Sequence, residues 1–330
     1  MTPGEHTRSE IASQPDVWKA TLREFRQQRD ALESLLSHAE SKQIIAVGCG
    51  STHYLSLSVA AMLRSKDIPG YAYPSAEYVY FPEKQLPGDT ILLAISRSGT
   101  TSETLWAIER FRERYPGQPV IAITTLPKSQ VAEEADLVLS ATGAQEVSIA
   151  QTRSFTSMFL LAQGLVSVLA RDDGLLEALE SLPATLEAML ERSMDIPRKL
   201  AADESLTRFF FLGGGPLYGI ASEAMIKTKE ITASWAEAYY PLELRHGPMS
   251  VVNDEALVVG FISDSAKAVE IDVLRDMKAL GAATLAIGEG VDGFDGDGLD
   301  DVVELDSGLS VWERGVLDLP LIQWMAYYRA

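Results

Sequence analysis

The sequence predicts an α/β fold of two tandem three-layer units, each a central parallel sheet with helices on both faces. Three observations point there. Apolar runs of four to seven residues lack the alternation of a half-exposed strand, which suits strands buried on both faces. Glycine- or hydroxyl-rich turns follow several of these runs and lead straight into helical stretches. The chain also repeats itself. KQIIAVGCGSTHYLSLSVAAML (42–63) parallels RFFFLGGGPLYGIASEAMIK (208–227), and DTILLAISRSGTTSETL (89–105) parallels EALVVGFISDSAKAVEIDVL (255–274). PVIAITT (119–125) parallels ATLAIGE (283–289), and ADLVLS (135–140) parallels DDVVEL (300–305), all in order and offset by roughly 165 residues.

Taken in order, residues 1–40 form a helical segment (VWKATLREFRQQRDALESLLSHAE). Residues 41–200 make the first unit, ending in a helical connection over 155–200, and 201–330 make the second. Each half reads strand, helix, strand, helix, strand. Residues 219–235 (GIASEAMIKTKEITASW) form one helix whose core stripe is Ile220, Ala224, Thr228, Ile231 and Trp235. The acidic stretch DGFDGDGLDD (292–301) lacks the spacing and closing Glu of a calcium loop and reads as a solvated loop.

Acidic residues exceed basic ones, 47 against 28, for a formal net charge of -19. That disfavours nucleic acid and anionic membrane as partners, but a small phosphorylated ligand needs only one local positive site. The single cysteine, Cys49, leaves no internal disulfide and no CxxC zinc site. No signal-like start and no apolar run approaching about 18 residues is present, so a cytoplasmic protein is expected.

ISRSGTTSET (95–104) crowds hydroxyls around one glycine between a strand and a helix. Core packing does not ask for that, but an oxygen-rich ligand does. In an open parallel sheet, ligands lie beyond the C-terminal strand ends, where helix N-termini present unpaired N–H groups to anions. Ser96, Ser98, Thr100 and Thr101 add donors, and Gly99 lets the backbone come close. Thr100 and Glu103 also match a capping box, which explains one hydroxyl, not four. Ser51 and Thr52 stand at the equivalent point after the preceding strand. Arg97 either adds charge or points to solvent. In the second half SDSAKA replaces SRSGTT, with an aspartate in place, so the anion site is not expected twice. GCGSTH (48–53) lacks the third glycine of a dinucleotide fingerprint.

Glu223, Lys227 and Glu230 line the flank of the 219–235 helix, either as a solvated ion-pair ladder or as the rim of a cleft. His246 follows in a polar loop beside a Gly-Pro turn, whereas His6, His38 and His53 read as ordinary exposed histidines. A carboxylate and a histidine near a phosphate cleft are the groups sugar-phosphate chemistry needs: one moves a proton between adjacent carbons, the other opens the ring.

With GCGST, ISRSGTTSET, SIAQTRSFT (148–156) and KTKEITASWAEAYYPLELRHGP in view, the chain from about residue 40 onward resembles the double-SIS (sugar isomerase) family. It is similar to the isomerase half of glucosamine-6-phosphate synthase and to AgaS-like and fructosamine-deglycase relatives. The resemblance implies two flavodoxin-like SIS domains, a homodimer with active sites at the subunit interface, and no metal or organic cofactor. It implies a phosphosugar held by Thr52, Ser96, Arg97, Ser98 and Thr101, with backbone help near Ile149. Glu230 takes the place of the proton-transfer base, His246 that of a ring-opening histidine reaching in from the partner, and Lys227 that of a lysine beside the sugar. The implied activity is isomerisation of a hexose or hexosamine 6-phosphate, with or without loss of ammonia. A fructosamine-6-phosphate deglycase is one alternative, and a non-catalytic phosphosugar-binding regulator another. Loop 70–87 and the connection 146–157 are the expected selectors among substrates. The synthase's N-terminal glutaminase cysteine has no counterpart in this sequence, so glutamine is not the expected amine donor. Arg97 stands where the synthase motif has glutamine. Relatives continue past the last helix into a lysine-bearing tail, whereas this sequence ends at IQWMAYYRA; the tail either lies outside it or is dispensed with.

Overall fold

The computed structural model describes residues 4–37, 42–82, 84, 89–294 and 298–330. Helices α1 (Glu5–Ala12) and α2 (Gln14–Leu36) open the chain. Then come β1 (Lys42–Gly48), α3 (Ser51–Ser65), β2 (Gly70–Pro74), α4 (Ser75–Tyr80), β3 (Asp89–Ile95) and α5 (Ser102–Arg114). These lead to β4 (Val120–Thr124), α6 (Gln130–Glu133), β5 (Leu137–Ser140), α7 (Arg153–Ala170), α8 (Asp173–Leu179), α9 (Leu182–Ser193) and α10 (Asp195–Ala202). The second half has β6 (Arg208–Gly213), α11 (Leu217–Thr232), β7 (Trp235–Tyr239), α12 (Pro241–Leu244), β8 (Ala256–Phe261) and α13 (Lys267–Ala279). It closes with β9 (Ala283–Gly288), β10 (Asp301–Glu304), α14 (Val311–Arg314) and α15 (Pro320–Arg329).

The strands make two five-stranded parallel sheets, ordered β2-β1-β3-β4-β5 and β10-β9-β8-β6-β7. Counted within each half, both orders are 2-1-3-4-5, the flavodoxin-like arrangement that the resemblance implies. Buried apolar strands explain why: β4 and β8 are buried throughout and β3 in all but its first residue. The sequence missed two of the four edge strands, GYAYP and WAEAY. They are mostly half-exposed, so no apolar run marks them. In both halves the strand-end glycine is pressed against the following helix. A Cβ on Gly48 would lie 2.5 Å from Thr52 C, and one on Gly213 2.3 Å from Leu217 O.

The chain forms two compact units that do not follow the linear bounds 1–40, 41–200 and 201–330. One holds 16–147 and 153–180 around the first sheet. In it the buried α7 carries Thr156, whose Oγ1 accepts from Trp18 Nε1 of α2 at 2.9 Å. The α7 helix is long and apolar enough to cross a membrane, with mean hydropathy 1.3 over 18 residues, but 78% of it is buried inside the protein. The expectation that no stretch approaches a span is thereby corrected: α7 is a core helix. The other unit holds 1–15, 148–152 and 181–330 around the second sheet. A buried amide chain ties its distant segments together: Gln14 Nε2 donates to Gln323 Oε1 at 2.9 Å, and Gln323 Nε2 to Thr152 O at 3.3 Å.

The 219–235 helix ends at Thr232, where Ala233 adopts a left-handed C-cap, and Trp235 begins β7 with 43% exposure. Trp235 therefore leaves the proposed core stripe, while Ile220, Ala224 and Thr228 are buried as expected. Within loop 70–87, residues 70–74 are strand and 75–80 helix, and residues 83 and 85–87 lie outside the described residues. So do 295–297 of the acidic loop, and His38.

Candidate functional site

The order of the first sheet reverses between β1 and β3, and the turns after those two strands carry the predicted hydroxyls. Ser96, buried at the end of β3, accepts from Gly99 N at 3.1 Å and lies 3.2 Å from Thr101 Oγ1. Ser98 Oγ accepts from Thr100 N at 3.3 Å and from Thr100 Oγ1 at 3.2 Å, which leaves its own proton to donate. Gly99 has φ +61°, and Thr101 is the N-cap of α5 without a side-chain capping bond. The capping box of Thr100 and Glu103 is therefore not formed: the hydroxyls bond one another around the turn, and the first N–H groups of α5 have no hydroxyl cap. This turn brings Ser96, Arg97, Ser98, Gly99 and Thr101 together.

After β1, Ser51 and Thr52 open α3, both buried. Thr52 Oγ1 accepts from Cys49 N at 2.9 Å and donates to Cys49 O at 3.0 Å, so this hydroxyl is engaged in shaping its own turn. Arg97 neither points freely to solvent nor offers an unopposed charge. Its Nη1 is 3.9 Å from Glu146 Oε2, a fully buried carboxylate the sequence did not single out. Its carbonyl accepts from Thr125 Oγ1 at 3.1 Å, which pins the turn to the end of β4. His53 is half-buried, contrary to the reading of an exposed histidine, and burial lowers its pKa. His6 is likewise half-buried.

In the other unit, α11 projects Glu223, Lys227 and Glu230 along one flank. The flank is no solvated ladder: Glu223 and Lys227 are fully buried because α11 packs against β6 and α15. Lys227 Nζ lies 3.5 Å from Glu223 Oε1 and 2.5 Å from Glu230 Oε2, and the Glu230 side chain keeps 40% exposure. A buried ammonium thus holds a reachable carboxylate in place. Glu230 lines a cavity of about 640 Å³ with Ile149, Ile231, Thr7, Tyr327 and Tyr328. Ile149 itself is 91% exposed. Thr7 Oγ1 and Ser148 Oγ meet at 2.9 Å on that wall. Sequence reasoning missed Thr7, Tyr327 and Tyr328, since terminal helices carry no motif that marks a cavity.

His246 is exposed in the turn after α12, its N bonded to Glu243 O at 3.0 Å, and it does not line the Glu230 cavity. A larger groove of about 830 Å³ between α5 and α6 is lined by Glu109, Glu113, Glu133 and Glu134 with Arg112. Its acidic wall repels phosphate, so it does not compete as the anion site. Among the described residues no group of three or more His, Cys, Asp or Glu could hold a metal.

The SIS domain model matches residues 38–168 and 204–293. The glutamine–fructose-6-phosphate aminotransferase [isomerizing] of Zymomonas mobilis is 27% identical over 296 residues, covering 85% of this chain and 48% of the relative. The chain spans about half the length of the curated relatives it matches. The tagatose-6-phosphate ketose/aldose isomerase of Escherichia coli superposes with TM-score 0.88 at 23% identity, over 99% of this chain and 92% of that one. The glucosamine-6-phosphate deaminase of Thermotoga maritima gives TM-score 0.72 at 26% identity, over 94% of each chain.

Proposed function

The chain belongs to the SIS domain family, and from that premise we propose that it is an enzyme of hexose or hexosamine 6-phosphates: an aldose–ketose isomerase, with or without deamination. One observation carries the reading: the half-exposed Glu230 carboxylate at a cavity, held 2.5 Å from a buried lysine. A phosphosugar sensor needs no such pair, whereas proton transfer between carbons needs a positioned base. The names of the matched proteins, an isomerising aminotransferase, a ketose/aldose isomerase and a deaminase, agree with that chemistry.

The phosphate is assigned to the turn of Ser96, Arg97, Ser98, Gly99 and Thr101, with Ser51 and Thr52 from the turn after β1. His246 is assigned the ring-opening proton transfer. Its exposure, away from the Glu230 cavity, agrees with action on the sugar of a second copy in a homodimer. In the open-chain aldose Glu230 takes the C2 proton, leaving an enediolate; a proton passes from O2 to O1, and Glu230 returns its proton to C1 to form the ketose. With an amine at C2 the same transfer yields a C2 imine, which water converts to the ketose and ammonia. Lys227 steers the Glu230 oxygen and offsets charge that develops on the sugar oxygens.

The test is NMR in D2O with a panel of hexose, hexosamine and fructosamine 6-phosphates, following new product, label at C1 or C2, and ammonia. Turnover by the wild type that disappears in Glu230→Gln, with sugar affinity kept within about threefold, is the expected result. Ammonia release separates deamination from plain isomerisation, and amine release from fructosamine phosphates marks a deglycase. Binding without turnover across the panel refutes the enzyme in favour of a sensor, and full turnover by Glu230→Gln refutes the base.

A further inference from the structure

The turn after β8 in the second sheet shares one bond with the hydroxyl turn of the first but not its backbone, since Gly99 has φ +61° and Ala266 has φ -120°. Gly99 N donates to Ser96 Oγ at 3.1 Å; Ala266 N donates to Ser263 Oγ at 3.3 Å. Both serines are buried, both follow a strand flanking the reversal of strand order, and both precede a 13-residue helix. In the second turn, however, the donors are already taken. Ser263 N donates to Glu270 Oε2 at 2.7 Å and Ser263 Oγ to Glu270 Oε1 at 3.0 Å. Glu270 comes from the first turn of α13 and is 5% exposed. A Cβ on Gly214, in the turn after β6, would stand 3.1 Å from Glu270 Oε1, so the carboxylate fills the space between the turns after β6 and β8.

A fully buried guanidinium completes the surroundings. Arg314 Nη2 donates to Ile262 O at 3.1 Å and to Asp264 Oδ1 at 2.7 Å; its Nε and Nη1 make no hydrogen bond, and Nη1 lies 3.9 Å from Oδ2 of the fully buried Asp318. Asp264, which the sequence suggested as the residue excluding an anion, instead pairs with Arg314 and accepts from Val311 N at 2.7 Å. The two donors of Ser263, its N–H and its hydroxyl, are met by Glu270.

We propose that the crevice beyond β6 and β8 is a second oxyanion site, of phosphate or carboxylate class, occupied from within by the Glu270 side chain. Each chain then offers one open phosphate turn rather than two. This inference does not rest on the enzymatic reading above, because every group in it belongs to the second sheet's own unit. Glu270→Ala removes a fragment the size of acetate and leaves the Ser263 donors without an acceptor beside Arg314.

The test is thermal unfolding of the wild type, Glu270→Ala and Glu270→Gln in chloride, acetate and inorganic phosphate at matched ionic strength and neutral pH. The wild type supplies the baseline, including any phosphate effect at the first turn. Glu270→Ala should unfold below the wild type in chloride. It should gain about 3–6 °C more than the wild type in acetate or phosphate at ten times the dissociation constant. Adding Ser263→Ala should erase that gain. Equal gains for Glu270→Ala and the wild type overturn the proposal. Should Glu270→Ala fail to fold in every salt, Glu270→Gln decides: it fills the same space without charge and should unfold well below the wild type. Wild-type stability for Glu270→Gln would show that no anion is required there.

Discussion

Gly99→Ala tests the hydroxyl turn at its tightest point. Gly99 has φ +61°, and a Cβ there would lie 1.8 Å from Ser129 Oγ and 2.3 Å from Ser129 Cβ. Two separable costs follow. The left-handed backbone costs an L-residue about 1–2 kcal/mol. Forcing atoms into a packed position costs about 1–3 kcal/mol more, because either the turn or the start of α6 must shift. The sum, about 2–5 kcal/mol, corresponds to a fall of about 4–20 °C in the unfolding of this unit. Ser129→Gly removes both close atoms and leaves Thr124 Oγ1, at an ordinary 3.6 Å, as the nearest neighbour. The double variant should thus recover the steric part and keep the backbone part, a coupling of about 1–3 kcal/mol in a double-mutant cycle. The assay is calorimetric unfolding of the four proteins, with phosphosugar affinity measured alongside. Affinity should fall at least tenfold in Gly99→Ala if this turn holds the phosphate as proposed, because its N–H and hydroxyl groups move with it. A Gly99→Ala protein that melts with the wild type, or a cycle that is additive, would refute the reasoning.

Other expectations concern buried charge. Lys227→Met removes the ammonium that lies 3.5 Å from the buried Glu223 carboxylate and should cost about 3–5 kcal/mol, much of it regained by Lys227→Met/Glu223→Gln. Denaturant titration checks this, and a single variant within about 1 kcal/mol of the wild type contradicts it. Burial raises the Asp318 carboxyl from its ordinary 3.8 to about 7, against the opposing pull of Arg314. An acid that binds its proton more tightly when folded contributes most below the unfolded-state value, and that contribution is lost as pH rises through about 7. Asp318→Asn should therefore gain on the wild type between about pH 4 and 7, by roughly 2–4 kcal/mol, and hold the gap above. Parallel stability–pH curves for the two proteins would contradict the shift.

Much of this molecule is written locally. Runs such as TILLAI and ALVVGF need two covered faces wherever they lie, so the parallel sheets follow from the residues themselves. The repeat and the hydroxyl turn are likewise visible in the chain, because a turn is made of consecutive residues. What depends on distant neighbours is not visible. GYAYP and WAEAY become strands because β1 and β6 offer them an edge. Glu223, Lys227 and Glu230 have the same spacing on a wet helix as on a dry one. Only the packing of α11 decides that two are buried and the third faces a cavity. Ser263 likewise resembles Ser96 in sequence and in accepting from the N–H three residues on. The difference lies in the acceptors: Ser96 N donates to Ile123 O of the neighbouring strand and its hydroxyl meets Thr101 Oγ1, whereas Ser263 N and Oγ are met by the Glu270 carboxylate, because buried N–H and O–H groups must find an acceptor and the nearest one in the fold supplies it.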